Sequence, residues 1–395
     1  MEEKVIFDGI IKTNQETGWK EAYLPSECPQ NHAANLLPLP NGDLLCTWFS
    51  GTQEGISDIS IFMSRLPAGE NTWTKPEKLS EDPQRSEQNP VLFLDPDEKL
   101  WLLYTAQKAG NQDTAFVRCR TSLDYGKSWS AIRPLIEEPG TFIRQPVTVM
   151  ENGEWLLPVF HCATRAGEKW VGDYDTSAVL ISADKGETWT EVSVPASTGC
   201  VHMNINKWKN GQMVALYRSR WADHIYRSVS DDGGHSWSKP EATVLPNNNS
   251  SVQFITLDSG NLALVFNNIN AGKNTERRES LYDEIEDAGD LHDGERNLTE
   301  DVPSDPLGRK AFWGTPRAPM TVALSEDGGL TWPYIRNIQE GDGYCMSNNS
   351  TESKNREFSY PSIKQSEDGN IHIAFTYFRQ TIKYVQIDEM WIKRK

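Results

Sequence analysis

Four stretches of this chain share the pattern S-x-D-x-G-x-x-W: SLDYGKSW at 122–129, SADKGETW at 182–189, SDDGGHSW at 230–237 and SEDGGLTW at 325–332. Four fixed letters in eight, met four times in 395 residues, make an internal repeat, and a repeat decides the fold before any single residue does. Each box reads as a tight turn. The Asp and Ser side chains bond the turn backbone, the Gly takes a positive φ, and the Trp packs between sheets. The boxes are therefore structural and lie away from any chemistry.

A second pattern recurs around the boxes. Six stretches place an extended apolar run on each side of an NG-, SG- or DG-type turn, which is a strong short-range hairpin signal. They open at His32, Asn89, Arg144, His202, Ser251 and Tyr360, and the first four are 55 to 58 residues apart. Four-stranded units at this period are propeller blades, since no one unit can bury both faces of its sheet alone. The expectation is an all-β, six-bladed β-propeller of four-stranded antiparallel blades. The boxes should join the third and fourth strands of blades 2 to 5, with a worn copy, SRLPAGENTW, in blade 1 and none in blade 6. EKVIFDGII near the N-terminus is expected to add a closing strand to the last blade. The whole of 1–395 reads as one propeller domain with a charged insertion at about 270–314 in blade 5. The insertion should carry a short helix at ESLYDEIEDA, and it reads as a solvated loop, an active-site lid or a subunit contact.

Composition narrows the function classes. The net charge is −17, which argues against a nucleic-acid or anionic-membrane surface. No apolar run is long enough to span a bilayer, and the first residues lack the apolar core of a secretory leader. Six scattered cysteines with no CxxC fit a reduced, cytoplasmic protein. The chain has no His/Cys set with metal-ligand spacing, no calcium loop, no G-x-G-x-x-G and no P-loop, so neither metal nor cofactor is expected.

The first strand of each propeller blade lines the central channel. The residues opening the six hairpins are His32, Asn89, Arg144, His202, the Asn247-Asn248-Asn249 run and Tyr360. Such convergent polarity, where strand starts facing a core would be apolar, points to a binding site. RSRWADHIYRS adds Arg218, Arg220, Asp223 and His224 in one strand-turn-strand, where the last two either reach the channel mouth or hold the turn. YFRQTIKY adds Arg379, at the pocket or its rim, and VGDYDTS adds Asp173 and Asp175.

Boxes of this type in a six-bladed chain resemble the sialidase (neuraminidase) superfamily over about residues 28 to 385. The resemblance implies three arginines that clamp a sugar carboxylate, a tyrosine nucleophile activated by a glutamate, and an acidic residue as acid/base. HAANLLPLPNG matches the segment opened by the first arginine and puts His32 in its place. NGQMVALYR places Arg218 as the second arginine, with Arg220 close behind, and RAPMTVALSEDGGLTW places Arg317 as the third. SYPSIKQSEDG supplies Tyr360 as the nucleophile. GTQEGISD offers Glu54 as the acid/base, with Asp58 second, and His202 falls where the activating glutamate belongs.

Guanidinium pairs suit a carboxylate because they offer charge-assisted, bidentate hydrogen bonds. Three readings stay open on these residues. The first is an exo-acting glycoside hydrolase on a terminal sugar acid, with a tyrosine nucleophile. The second is a β-eliminating lyase on a uronic-acid glycoside, which the two histidine replacements favour. The third is a sugar-binding propeller without catalysis. In each the partner is an acidic mono- or oligosaccharide.

Overall fold

The computed structural model describes residues 5–285, 291–347 and 349–394. Its strands form six antiparallel sheets arranged as the blades of a propeller. The innermost strands of blades 1, 2, 4, 5 and 6 are Gln30–Pro38, Ser86–Leu94, Cys200–Lys207, Gln253–Thr256 and Phe358–Gln365. That of blade 3 is split into Thr141–Ile143 and Thr148–Val149. Second strands such as Leu100–Lys108 and Met213–Ser219 are buried almost throughout, because a blade is covered on both faces by its neighbours. That is why they read as continuous apolar runs and not as alternating ones.

Each gap between blades is filled by one apolar cluster. Leu45, Phe49 and Ile61 of blade 1 meet Leu92, Leu102 and Tyr104 of blade 2, and Val265 and Val322 of blade 5 meet Ile373 and Phe375 of blade 6. Each such buried side chain contributes about 1.5–3 kcal/mol. Around the channel, side chains also tie neighbouring inner strands together. Asn35 accepts from Leu92 N, Asn204 from Phe254 N, Gln253 from Ile363 N and Ser362 from Leu36 N. These bonds satisfy buried backbone donors that no sheet partner reaches.

The four boxes join third and fourth strands as expected. In each, the Ser hydroxyl accepts from the Gly N–H while the Asp carboxylate accepts from the residue before the Trp, as at Gly126 and Ser128 on Ser122 and Asp124. The same two bonds recur at 182–188, 230–236 and 325–331. Blade 6 lacks a box for a topological reason. Its third strand, Thr381–Ile387, leads into the terminal helix Glu389–Lys393, so this blade has no third-to-fourth turn. The closing strand comes from the N-terminal region, but it is Lys20–Tyr23 pairing with Thr381–Ile387, not EKVIFDGII. In the described part of that segment, Ile10 bridges Thr72 and Gly9 bonds the backbone of Tyr23 and Trp73.

Residues 270–314 fall between the second and third strands of blade 5, Leu262–Asn267 and Met320–Ser325. They do not stand off as a solvated loop. Their described residues, 270–285 and 291–314, form a strap at the channel mouth, burying Leu281, Tyr282, Ala311 and Trp313 against Phe142, Phe160, Trp170 and Val201 of blades 3 and 4. The expected helix at ESLYDEIEDA is absent at 281–284, which are turn, and its residues 286–288 lie outside the described residues.

Candidate active site

The channel mouth on the strap side collects the chemistry, and a backbone irregularity aims it there. The inner strands of blades 1, 2, 4 and 6 break register near Ala33, Asn89, His202 and Tyr360, whose φ values are 65°, 52°, 53° and 52°. A bulge with a left-handed residue turns a side chain out of the pleat and into the channel. For Tyr360 that conformation costs of order 1–3 kcal/mol, which the surrounding sheet must offset.

Tyr360 stands at the centre. Its hydroxyl oxygen accepts from Arg218 Nη1 at 2.6 Å, and His202 Nε2 is 3.3 Å from the same nitrogen. The His32 ring lies 4.2 Å from the Tyr360 ring and the His202 ring 5.6 Å, centre to centre. Three guanidinium groups surround the phenol ring, Arg144 at 5.4 Å, Arg218 at 5.5 Å and Arg317 at 5.6 Å. Arg218 is further held by Asn249, whose Oδ1 accepts from Nε at 2.8 Å, and its Nη2 has no partner.

Two carboxylates order the arginines on the blade 6 and blade 1 side. Glu357 accepts from Arg317 Nη1 at 3.1 Å and also from Arg379 Nε. Arg379 reaches on to Glu54 at 2.6 Å. Burial alone would push the Glu357 carboxyl up, but Arg379 and Arg317 overcome it and hold it below the usual carboxylate range. In a second pair, Arg220 Nε and Nη2 both donate to Asp175 Oδ2, at 2.9 and 2.6 Å, and the guanidinium packs between Trp170 and Trp313. Here burial wins, and the Asp175 carboxyl lies above its ordinary value despite Arg220.

Charge balance shows what is missing. Arg317, Arg379 and Arg220 face Glu357, Glu54 and Asp175, whereas among the described residues Arg144 and Arg218 have no carboxylate within ion-pair distance. Burial draws Arg218 down to about 9 and Arg144 to about 10, so both are still protonated at neutral pH. Burial, with the Arg cations adding to it, pulls both His32 and His202 well below the ordinary histidine value, so both are neutral. The site thus carries two uncompensated positive charges, a potential that draws an anion.

The neutral histidines set a pH dependence. The unfolded chain takes up protons at His32 and His202 as pH falls below about 6.5, and the folded protein does not. Stability from this source is therefore full above pH 6.5 and declines by about 1.4 kcal/mol per pH unit per histidine as pH falls toward the folded values. Urea unfolding at pH 7 and pH 5.5 should show the drop, and His32→Gln with His202→Gln should flatten it. An unchanged wild-type midpoint would mean that the two rings do titrate inside the fold.

The remaining sequence-derived candidates divide clearly. Arg218, Arg317, His32 and His202 meet around Tyr360, with Arg379 and Glu54 linked behind them through Glu357. Arg220 is one layer out, bound to Asp175. Asp58 is exposed and holds its own loop through Thr52 N and Oγ1. Asp223 anchors the strap, bonding Tyr226 and Arg309, and His224 begins the blade 4 strand His224–Ser230. Asn89 is buried in blade 2 with its Oδ1 unpartnered. Arg144 lies behind the Tyr360 ring and bonds backbone carbonyls. Sequence reasoning missed Glu357, Thr376 and Trp313. Glu357 did leave a signal, a lone acid three residues before Tyr360 at the head of an otherwise buried strand. Thr376, whose hydroxyl bonds His32 Nδ1 at 2.9 Å, left none.

The site is closed. Tyr360 is 5% exposed, Arg218 1% and Glu357 0%. The roof is the end of the strap, where Phe312 N donates to Arg220 O, Asn249 donates to Phe312 O, and Trp313 covers Arg218 and Arg220 at 5.4 and 5.0 Å. Outside this roof a hollow of about 540 Å³ lies between Gly110, Trp170, Tyr174, Tyr282 and Lys310. A larger hollow of about 940 Å³ lies between blades 6 and 1 on the opposite, box-bearing face, remote from Tyr360. A ligand reaches Tyr360 from the strap side only when Trp313 and its neighbours shift.

The whole is a six-bladed propeller with arginines converging on a channel-mouth tyrosine. Residues 42–373 match the family described as BNR repeat-like domain, and the chain belongs to that family. Among solved structures it is similar to a Hadza microbial sialidase, with a TM-score of 0.66 and 15% identity over 92% of this chain and 66% of that one. It is also similar to the intramolecular trans-sialidase from Ruminococcus gnavus solved with oseltamivir carboxylate (TM-score 0.63, 12% identity, 92% of this chain and 96% of that one). A protein of unknown function from Dyadobacter fermentans matches end to end (0.63, 15%, 97% and 98%). A comparison with curated proteins finds no match. At these identities the likeness is one of fold.

Proposed function

We propose that the protein is a glycoside hydrolase that releases a terminal, carboxylate-bearing sugar. The observation that carries this reading is the cluster of guanidinium groups around Tyr360 with two positive charges left over, one of them on Arg218 with a free Nη2. The sugar carboxylate would lie between Arg218 and Arg317. Arg379 supplies the third guanidinium that His32 cannot, since a neutral imidazole offers no charge. Tyr360 attacks the anomeric carbon, forming a C–O bond as the glycosidic C–O bond breaks. His202, which shares Arg218 Nη1 with the phenol oxygen, takes the phenol proton. Glu54 protonates the leaving oxygen. In the closed state Glu54 is a carboxylate accepting from Arg379, so it takes its proton from solvent once the sugar carboxylate replaces it on that arginine. Water then breaks the tyrosyl–sugar bond, with Glu54 acting as base.

A second reading rests on the neutral His32, whose Nε2 is buried without a partner, whereas His202 Nε2 already accepts from Arg218 and its proton sits on Nδ1. Such a ring can take the C5 proton of a uronic acid whose carboxylate is neutralised by arginine, with Tyr360 protonating the leaving oxygen. Wild type and Tyr360→Phe assayed on ulosonic-acid glycosides and on uronic-acid oligosaccharides separate the two. Release of a free reducing sugar acid, lost by at least about 10³-fold in Tyr360→Phe, is the expected result. An ultraviolet-absorbing unsaturated uronide would replace the hydrolase with the lyase. Binding of these sugars without turnover would leave a sugar-binding propeller.

A further inference from the structure

We infer that Arg144 is a positioning residue for Tyr360, holding the tyrosine backbone in its bulged conformation and placing an uncompensated positive charge behind the phenol ring. The inference rests on the reading of Tyr360 as the reacting group. It assigns a task to a residue that the sequence marked only as substrate-binding.

The hydrogen bonds of Arg144 go to backbone. Arg144 is 1% exposed and occupies the break in the blade 3 inner strand between Ile143 and Thr148. Its Nη2 donates to three backbone carbonyls, Ala34 at 2.9 Å, Tyr360 at 3.1 Å and Pro361 at 3.2 Å. Those carbonyls belong to the inner strands of blades 1 and 6, beside the two left-handed residues Ala33 and Tyr360. A bulge leaves carbonyls without ladder partners, and one guanidinium supplies donors to three of them. The same contact joins blade 3 to blades 1 and 6 across the channel, below the level that a sugar entering from the strap side would occupy.

Its charge has a second consequence. Arg144 Nε and Nη1 are buried without a hydrogen-bond partner, and its guanidinium lies 5.4 Å from the Tyr360 ring centre. A buried cation is costly unless negative potential lies near, and here the three carbonyls supply it on one side while the π face of Tyr360, and any negative charge that forms on its oxygen, supply it on the other. Arg218 can surrender its charge to an incoming carboxylate. Arg144 cannot, so its field stays directed at Tyr360 through the reaction. The other charged or titratable groups facing Tyr360 are Arg218, Arg317, His32 and His202, with Glu357, Arg379 and Glu54 behind them. Arg144 also adds to the positive field that keeps both histidines neutral.

The test uses the whole chain as wild type, Arg144→Gln, Arg144→Lys and Tyr360→Phe. Gln keeps an amide donor for the carbonyls and loses the charge, whereas Lys keeps the charge and loses the fork. Steady-state kinetics on whichever acidic glycoside the wild type cleaves should show kcat down about 10²-fold in Arg144→Gln with KM within about twofold. The acid limb of its kcat/KM profile should move to higher pH, and Arg144→Lys should recover at least tenfold of the loss. A raised KM at unchanged kcat would show that Arg144 touches substrate. Equal losses in Gln and Lys with an unmoved pH profile would show a purely structural part. Either result overturns the inference.

A substrate-free readout separates this from failure of the proposed reaction. The step in near-ultraviolet phenolate absorbance that Tyr360→Phe removes should lie at higher pH in Arg144→Gln than in wild type. If no glycoside is turned over, the hydrolase and lyase readings fail while this titration still judges Arg144, and an unmoved step overturns it. If Arg144→Gln does not fold, Arg144→Lys decides. A step close to that of wild type supports the inference, and one displaced to higher pH overturns it.

Discussion

Arg218→Met should lower kcat/KM for an acidic glycoside by about 10³-fold, with the loss in both KM and kcat. Removing one partner of a desolvated, charge-assisted contact costs on the order of 2–5 kcal/mol, and Arg218 makes two such contacts. One is to the substrate carboxylate, through the free Nη2, and is felt in binding. The other is to the Tyr360 oxygen at 2.6 Å and is felt in the chemical step. Arg218→Lys should recover little, because a point ammonium cannot serve Asn249, Tyr360 and a ligand in three directions at once. Kinetics on an acidic glycoside and on its methyl ester check the assignment. If the ester were as good a substrate for wild type as the acid, the carboxylate would not be what Arg218 holds.

Glu357→Ala should destabilise the fold by about 3–5 kcal/mol, the largest effect expected from any single change at the site. The carboxylate is fully buried and neutralises two guanidinium groups that come from different blades, Arg317 from the end of the strap and Arg379 from the blade 6 turn. Removing it leaves both cations in a closed, dry site with only Glu54 to balance Arg379. Adding Arg379→Met to Glu357→Ala should restore a good part of the loss, since the double variant removes a charge along with its partner. Urea unfolding of the two single variants and the double variant gives the coupling. Additive losses would mean that the Glu357–Arg379 contact carries little of the stability.

The two effects differ in how far they could have been anticipated. Arg218 ends a strand whose NG turn and apolar run mark its place in the repeat, and the family resemblance at that place put it in the site. Glu357 carries no such mark. It sits in the connection from blade 5 to blade 6, and its value comes from Arg379, 22 residues on, and Arg317, 40 residues back. Arg379 was visible only as a choice between pocket and rim, because a turn residue can point either way and its φ of 57° settles which. The strap was visible as an interruption of the repeat, but its charge and glycine content left a solvated loop, a lid and a subunit contact open. What buries it is a handful of aromatic and aliphatic anchors, Leu281, Tyr282 and Trp313, dispersed among charges that themselves pair with loops of blades 2, 3 and 4.

The sequence by itself determined the propeller, its blade number, the place of the boxes and the identity of most residues around the channel. Repetition makes these legible, because every copy of a turn or strand must solve the same local problem with the same few residue types. Only the tertiary structure decided which cations are neutralised, that both histidines are neutral, that Arg144 faces Tyr360 from behind and that the strap closes the mouth. Those facts depend on distances between residues far apart in the chain and on their removal from water. Neither quantity is written in local pattern, because Coulomb energies and desolvation act through space and not along the backbone.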